Sequence, residues 1–266
     1  MMTRIFQTAI LLNKDTLKRT SIITAGLMLL VFGFSKTGSA GDPSVTDILK
    51  HADRARGNVG GIIWDIAITT NEEGAQETRG LTVKVKGDNT LAKYTAPAAM
   101  SDRMVLMVDR NMWFIRSGLK KPVSISPRQK LMGDAANGDI ASTNYSEDYI
   151  AELVGNEAVQ GETCYVLDLK AVNKNVTYDR IKYWVSKERL VGVKAEFYTL
   201  SGKLFKTADF RYDNRVKVDG REEIPFISEL VIHDAIQKDK VTMLKYSGVR
   251  VQPIPDSTFN LNVLVR

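Results

Sequence analysis

The chain has few of the residues that most catalytic and metal centres use. Of 266 residues only one is cysteine, Cys164, and two are histidine, His51 and His233. A lone cysteine excludes an intrachain disulfide and a cysteine-rich metal cluster. No His/Cys metal spacing, phosphate-binding glycine loop, dinucleotide fingerprint or G-x-S-x-G elbow occurs. No metal, no cofactor and no catalytic residue is therefore expected. His51 falls on a polar helix face. His233 adjoins Asp234, but neighbours along a strand point to opposite faces, so the pair makes no dyad. Cys164 leads into Tyr165-Val166-Leu167, a setting for a buried, inert thiol. The acidic pairs Glu72-Glu73, Glu147-Asp148 and Glu222-Glu223 fall at turns or helix starts, where they are solvated or act as caps.

Also missing is an apolar run long enough to span a bilayer. The run from Ile22 to Phe34 has 13 residues. As a helix it would reach roughly 20 Å, short of the ~30 Å hydrocarbon layer. Arg4, Lys14, Lys18 and Arg19 precede it, and Gly38 and Ala40 fit the small-residue positions of a signal-peptidase site. Residues 1–40 thus read as a cleavable leader and residues 41–266 as a single exported domain. The leader would carry five basic residues and one acid, so +4 of the net charge of +6 leaves with it. The remaining charges alternate in sign along the chain. A nucleic-acid partner, which needs a clustered basic face, is not expected.

What is present is mostly strand. One amphipathic helix comes first, with Pro43 in its first turn, Asp42 or Ser44 as cap, and Val45, Ile48, Leu49, Ala52 and Ala55 at helical spacing. Gly57, Gly60 and Gly61 end it. Then Trp64, Ile66 and Ile68 alternate with Asp65, Ala67 and Thr69, and Leu81, Val83 and Val85 alternate with Thr82 and Lys84. This is the period of a sheet with one buried face. Further strands are expected over 90–96, 104–108 and 112–116, with a tight turn at Asp109-Arg110-Asn111. From Gly118 to Gly138 periodicity fades. Asn144, with Glu147 three residues on, predicts a helix carrying Tyr145, Tyr149, Ile150 and Leu153. This interruption is a candidate lid. Strands resume after Gly161, with hairpin signals at Ser201-Gly202 and Asp219-Gly220, single strands over 226–233 and 241–251, and a tail from Asp256. The simplest architecture is one long, strongly curved antiparallel sheet with helices on its concave side.

Three stretches then carry a likeness. One runs from Met112-Trp113-Phe114-Ile115 through Leu131-Met132-Gly133 to Asn144-Tyr145-Ser146-Glu147-Asp148. The second is Tyr178-Asp179-Arg180-Ile181-Lys182-Tyr183-Trp184-Val185, continuing to Phe197-Tyr198-Thr199-Leu200-Ser201-Gly202-Lys203-Leu204. The third is Ile254-Pro255-Asp256-Ser257-Thr258-Phe259. In this order the chain resembles the outer-membrane lipoprotein-sorting (LolA-like) family, in its longer, uncharacterised branch. The resemblance implies a mainly β (α+β) fold, a half-open, strongly curved antiparallel β-barrel with helices covering the concave side. It also implies a periplasmic carrier that holds lipid or lipoprotein acyl chains in an apolar cavity and moves them towards the outer membrane. The alternative is a non-transporting accessory subunit of a resistance-nodulation-type membrane transporter. An inner-membrane transporter is the implied protein partner. Carriers of the family hold the lid shut with a strand arginine; Arg79, Arg103 and Arg116 are the residues weighed for that place, and the sequence assigns it to no one of them.

A curved sheet too wide to fill with its own side chains leaves an internal space. The expected lining is Trp64, Ile66, Ile68, Leu81, Val83 and Val85, with Trp113 and Tyr149. Plain core packing gives the same alternation, so these residues are candidates for either role.

Overall fold

The computed structural model describes residues 42–72, 74–141, 143–218, 220 and 222–265. The expected leader, residues 1–40, lies outside the described residues, as do Glu73 and Asp219 of two expected turns. Residues Asp42–Arg266 form one unit.

The helix α1 (Val45–Arg54) opens that unit, with the Ser44 hydroxyl accepting from Asp47 N at 3.1 Å. Ile48, Leu49 and Ala52 form its buried stripe. Successive hairpins follow: β1 (Ile62–Glu72), β2 (Ala75–Lys86), β3 (Asn89–Ala96), β4 (Arg103–Val108), β5 (Asn111–Arg116) and the short β6 (Val123–Ile125). Asp109 and Arg110 both take positive φ (47° and 67°), the two-residue turn whose twist matches its flanking strands. The interrupting segment holds a small separate hairpin, β7 (Lys130–Met132) with β8 (Ala135–Ala136), and the single helical turn α2 (Tyr145–Asp148). Then come β9 (Tyr149–Val159), β10 (Glu162–Ala171), β11 (Arg180–Ser186), β12 (Gly192–Tyr198) and β13 (Leu204–Arg211). β14 (Asn214–Val218) and β15 (Glu222–Phe226) make a second detached hairpin, and β16 (Glu229–Asp234) and β17 (Val241–Val251) return to the main sheet.

Among the described residues, thirteen strands make one antiparallel sheet, ordered β6-β5-β4-β3-β2-β1-β17-β16-β13-β12-β11-β10-β9. β17 joins the halves by pairing with both β1 and β16. The edges, β6 and β9, do not meet, so the molecule is a half-open barrel. Register shifts in the β1/β17, β2/β3, β9/β10, β11/β12 and β12/β13 pairs supply the curvature, since each bulge bends and twists its strand.

The structure departs from the sequence expectation in four places. The helix expected from Tyr145 to Leu153 is one turn long. From Tyr149 the chain runs as β9, because β10 offers it a ladder from Ala171 back to Glu162, and ten pairings outweigh a local apolar stripe. Asn144 does not cap α2. Its amide donates instead to Asp88 and Glu147, at 3.0 Å each. The strand expected over 226–233 breaks at Ile227-Ser228, where Ile227 N donates to Ala55 O and Ser228 N to Arg211 O. Finally, helical structure is not confined to the concave side. The C-terminal turn and α3 (Leu261–Leu264) cover the other face, against Ile63, Leu91, Leu106 and Ile115.

Candidate functional site

The concave face of β1 and β2 is apolar because every second residue there is. Trp64 stands opposite Val83, Ile66 opposite Leu81, and Val85 opposite Ile62. With Ile68, these seven residues, the six expected strand linings among them, are at most 2% exposed and belong to one cluster. α1, α2, the β7–β8 segment and the β14–β15 hairpin fill the space above them; Phe226 of that hairpin lies 5.4 Å from the Trp64 ring. Tyr149 joins the same cluster, packing edge-on against Tyr145 at 5.2 Å. Trp113 does not join. It stands opposite Leu106 on the convex face, while its neighbour Met112 takes the inward position. The sequence expectation had placed Trp113 one residue out of register with the buried face.

Besides this apolar packing, polar contacts tie the cover to the sheet and its loops. On β17, Thr242 Oγ1 accepts from Asp134 N at 2.8 Å. On β13, Lys206 Nζ donates to Asp134 O at 2.8 Å and lies 3.5 Å from Asp139 Oδ2. Lys240 pairs with Asp134 at 3.3 Å. The Tyr178 hydroxyl donates to Asp139 at 2.7 Å, and Arg128 reaches Asp179 at 2.6 Å and Val176 O at 2.9 Å. Arg79 of β2 donates to Leu131 O at 3.3 Å. Arg116, by contrast, pairs with Asp102.

α1 and α2 meet through a buried carboxylate. Asp53 accepts from Tyr145 N at 3.0 Å and Ser146 N at 2.8 Å, supplying the cap that Asn144 does not. Burial pushes its carboxyl up to about 7, against the opposing pull of those two bonds and of Arg56. Burial likewise raises Asp148 to about 6, although Arg110 sits 2.9 Å away. Arg56, three residues beyond Asp53, is itself buried, with its guanidinium 4.9 Å from the Phe210 ring and 5.4 Å from the Tyr145 ring. A hollow of about 40 Å³ opens at Arg56 under α2. Two larger ones lie at the margins of the cover. One, about 300 Å³, runs between Arg128, Asp134, Tyr178, Phe205 and Lys206, and another, about 650 Å³, lies between Gly60, Lys86, Lys217 and Ile254.

Sequence reasoning missed this polar interior. One signal was available: Lys206 occupies an inward position on β13 between Leu204 and Ala208, where alternation calls for an apolar residue. Elsewhere, Cys164 is buried, and burial raises its thiol. His233 pairs with Asp209 of the adjacent strand at 3.5 Å, not with Asp234, and both are partly exposed. Among the described residues no group of three potential metal ligands comes together, and no helix is long and apolar enough to cross a membrane.

Comparison with known proteins places this architecture. A family model described as "Uncharacterized protein" matches residues 86–266. No curated protein matches the chain. Among solved structures, a LolA superfamily protein of Nitrosomonas europaea is 31% identical, with a TM-score of 0.74, over 83% of this chain and 99% of that one. A domain of Vibrio parahaemolyticus described as an outer membrane lipoprotein-sorting protein is 23% identical, with a TM-score of 0.70, over 83% of this chain and 98% of that one. A DUF1329 family protein of Desulfovibrio piger is 21% identical, with a TM-score of 0.69, over 82% and 97%. The last two share the fold; the first, with its higher identity across nearly its whole length, shows the family. The chain belongs to the LolA superfamily.

Proposed function

We propose that this protein is a periplasmic carrier that takes lipid or lipoprotein acyl chains onto its concave face and moves them towards the outer membrane. One observation carries the reading: a continuous apolar floor lies beneath a separate cover, which hydrogen bonds and ion pairs tie to the sheet in addition to its apolar packing. When such a cover lifts, water replaces its polar contacts at a net cost of about 1 kcal/mol each. The uncovered floor, in contrast, is satisfied only by another apolar surface. An acyl chain supplies that at roughly 0.8 kcal/mol per methylene, which offsets apolar contacts given up by the cover. The Gly- and Pro-containing stretch from Gly118 to Gly138 gives the cover its hinge, and the leader expected over residues 1–40 delivers the domain to the periplasm. Trp64, Ile66, Ile68, Leu81, Val83, Val85 and Tyr149 would line the opened space. An inner-membrane transporter would act as donor.

Purified mature protein should carry acyl lipids detectable by mass spectrometry, or take up a fluorescent fatty acid. Lipid-free protein that takes up no probe would remove the carrier reading. It would favour a second one, a non-transporting accessory subunit of a membrane transporter. The observation on that side is the filled interior, in which the six strand residues touch their own cover and not an open cavity.

A further inference from the structure

Among the charged groups of the interior, Arg56 stands apart. A guanidinium taken out of water is costly unless a carboxylate and further acceptors compensate it. Arg56 is 6% exposed, its Nη1 has no hydrogen-bond partner, and among the described residues no carboxylate lies within ion-pair distance of it. Its neighbours are the faces of Tyr145 and Phe210. The Tyr145, Tyr183, Tyr212 and Tyr246 hydroxyls around it are all pushed up by burial, so none supplies a phenolate at neutral pH. The Tyr183 and Tyr212 hydroxyls are also left without a hydrogen-bond partner.

Arg56 borders the hollow under α2, which it lines together with Arg110, Asp139, Asp148, Tyr145 and Tyr149. Both carboxylates in that wall already have cations: Asp148 has Arg110 at 2.9 Å and Asp139 has Lys206 at 3.5 Å. Arg56 has no such contact, and the two oxygens of nearby Asp53 are turned to Tyr145 N and Ser146 N. The hollow measures about 40 Å³, room for about three water-sized groups. A carboxylate has three heavy atoms; a phosphate ester has more and needs more room.

We propose that Arg56 is the receptor for the anionic head of a single-chain amphiphile, a fatty-acid carboxylate in preference to a phosphate, whose tail lies on the concave floor. This rests on the carrier reading. The carboxylate forms the charge-assisted, two-pronged hydrogen bond for which a guanidinium is shaped. The buried charge, a burden to the empty protein, becomes the source of selectivity for the loaded one.

The test compares palmitate, hexadecanol and hexadecyl phosphate by displacement of a fluorescent fatty-acid probe from the full exported protein. Palmitate should bind at least tenfold more tightly than hexadecanol and more tightly than hexadecyl phosphate. In Arg56→Met the acid should lose that advantage while hexadecanol keeps its affinity, and Arg56→Lys should retain part of the advantage. Arg56→Met should also melt no lower than the parent, because an apolar side chain replaces an uncompensated charge. Equal binding of acid and alcohol by the parent, or an unchanged preference in Arg56→Met, would overturn the head-group site and leave the carrier reading standing. Hexadecyl phosphate binding as tightly as palmitate would overturn the carboxylate assignment. No binding of any of the three would overturn both the site and the carrier reading.

Discussion

Asp53 and Arg56 sit about one helical turn apart inside the molecule, and together they set its response to pH. Asp53 holds α2 through two backbone N–H groups, yet burial raises its carboxyl to about 7 from an ordinary value of 3.8. The groups that face it are Arg56, which favours the charged form, and the neutral Tyr145 and Tyr183. The folded protein therefore binds a proton at Asp53 that the unfolded chain releases between pH 4 and 7. Stability must fall as pH rises through that window and be greatest at its acidic end. Asp148, raised to about 6, acts in the same direction over the lower part of the window. Three pH units at about 1.4 kcal/mol each bound the Asp53 contribution near 4 kcal/mol. Tyr145 N and Ser146 N each use a different Asp53 oxygen, so Asp53→Asn keeps one of the two bonds and has no proton to lose. Its melting temperature should change much less between pH 5 and pH 8 than that of the parent. An unchanged pH dependence in Asp53→Asn, measured by thermal melts in matched buffers, would remove Asp53 as the cause.

At the scale of elements, the cover is the part that must move, and at Gly133 it leaves no room for a side chain against the sheet. Gly133 has φ +55°, and a Cβ there would collide with Thr242 Oγ1 and Thr70 Cγ2. Gly133→Ala should thus lift the β7–β8 hairpin off β17, weakening the Asp134–Thr242 bond beside it. A loss of about 1–3 kcal/mol in stability is expected from the backbone strain and the overpacking. Stopped-flow uptake of a fluorescent fatty acid should be faster at the same time. Lower stability with unchanged uptake would separate this hairpin from ligand entry. The cover is also where sequence and structure part company. Strands such as β1 and β2 were legible because alternation reports one buried face, and α1 was legible because its stripe and its Ser44 cap agree. The stripe Tyr145-Tyr149-Ile150-Leu153 was read as helix because nothing local records that β10 needs a neighbour. The polar fastenings were invisible for a similar reason. Asp134 bonds to residues 72 and 108 positions away, and no spacing rule links such pairs. The misplacement of Trp113 followed from reading its strand one residue out of register, which reverses every side chain.

At the scale of the whole molecule, one bent sheet presents two unlike faces. The concave face carries Trp64 and the proposed acyl floor. The convex face carries Trp113, packed near the C-terminal turn, and Trp184, which donates to Glu157 at 2.8 Å and is flanked by Lys182 and Lys194. The chain has these three tryptophans and no others, so each face has its own fluorescent reporter. Variants that keep a single tryptophan, the others replaced by phenylalanine, can be titrated with dibrominated stearic acid, whose bromines quench only on close approach. Quenching should be strong for the Trp64 reporter and weak for Trp113 and Trp184. A dark Trp113 or Trp184 beside an unaffected Trp64, or no quenching at any of the three, would contradict cargo on the concave face.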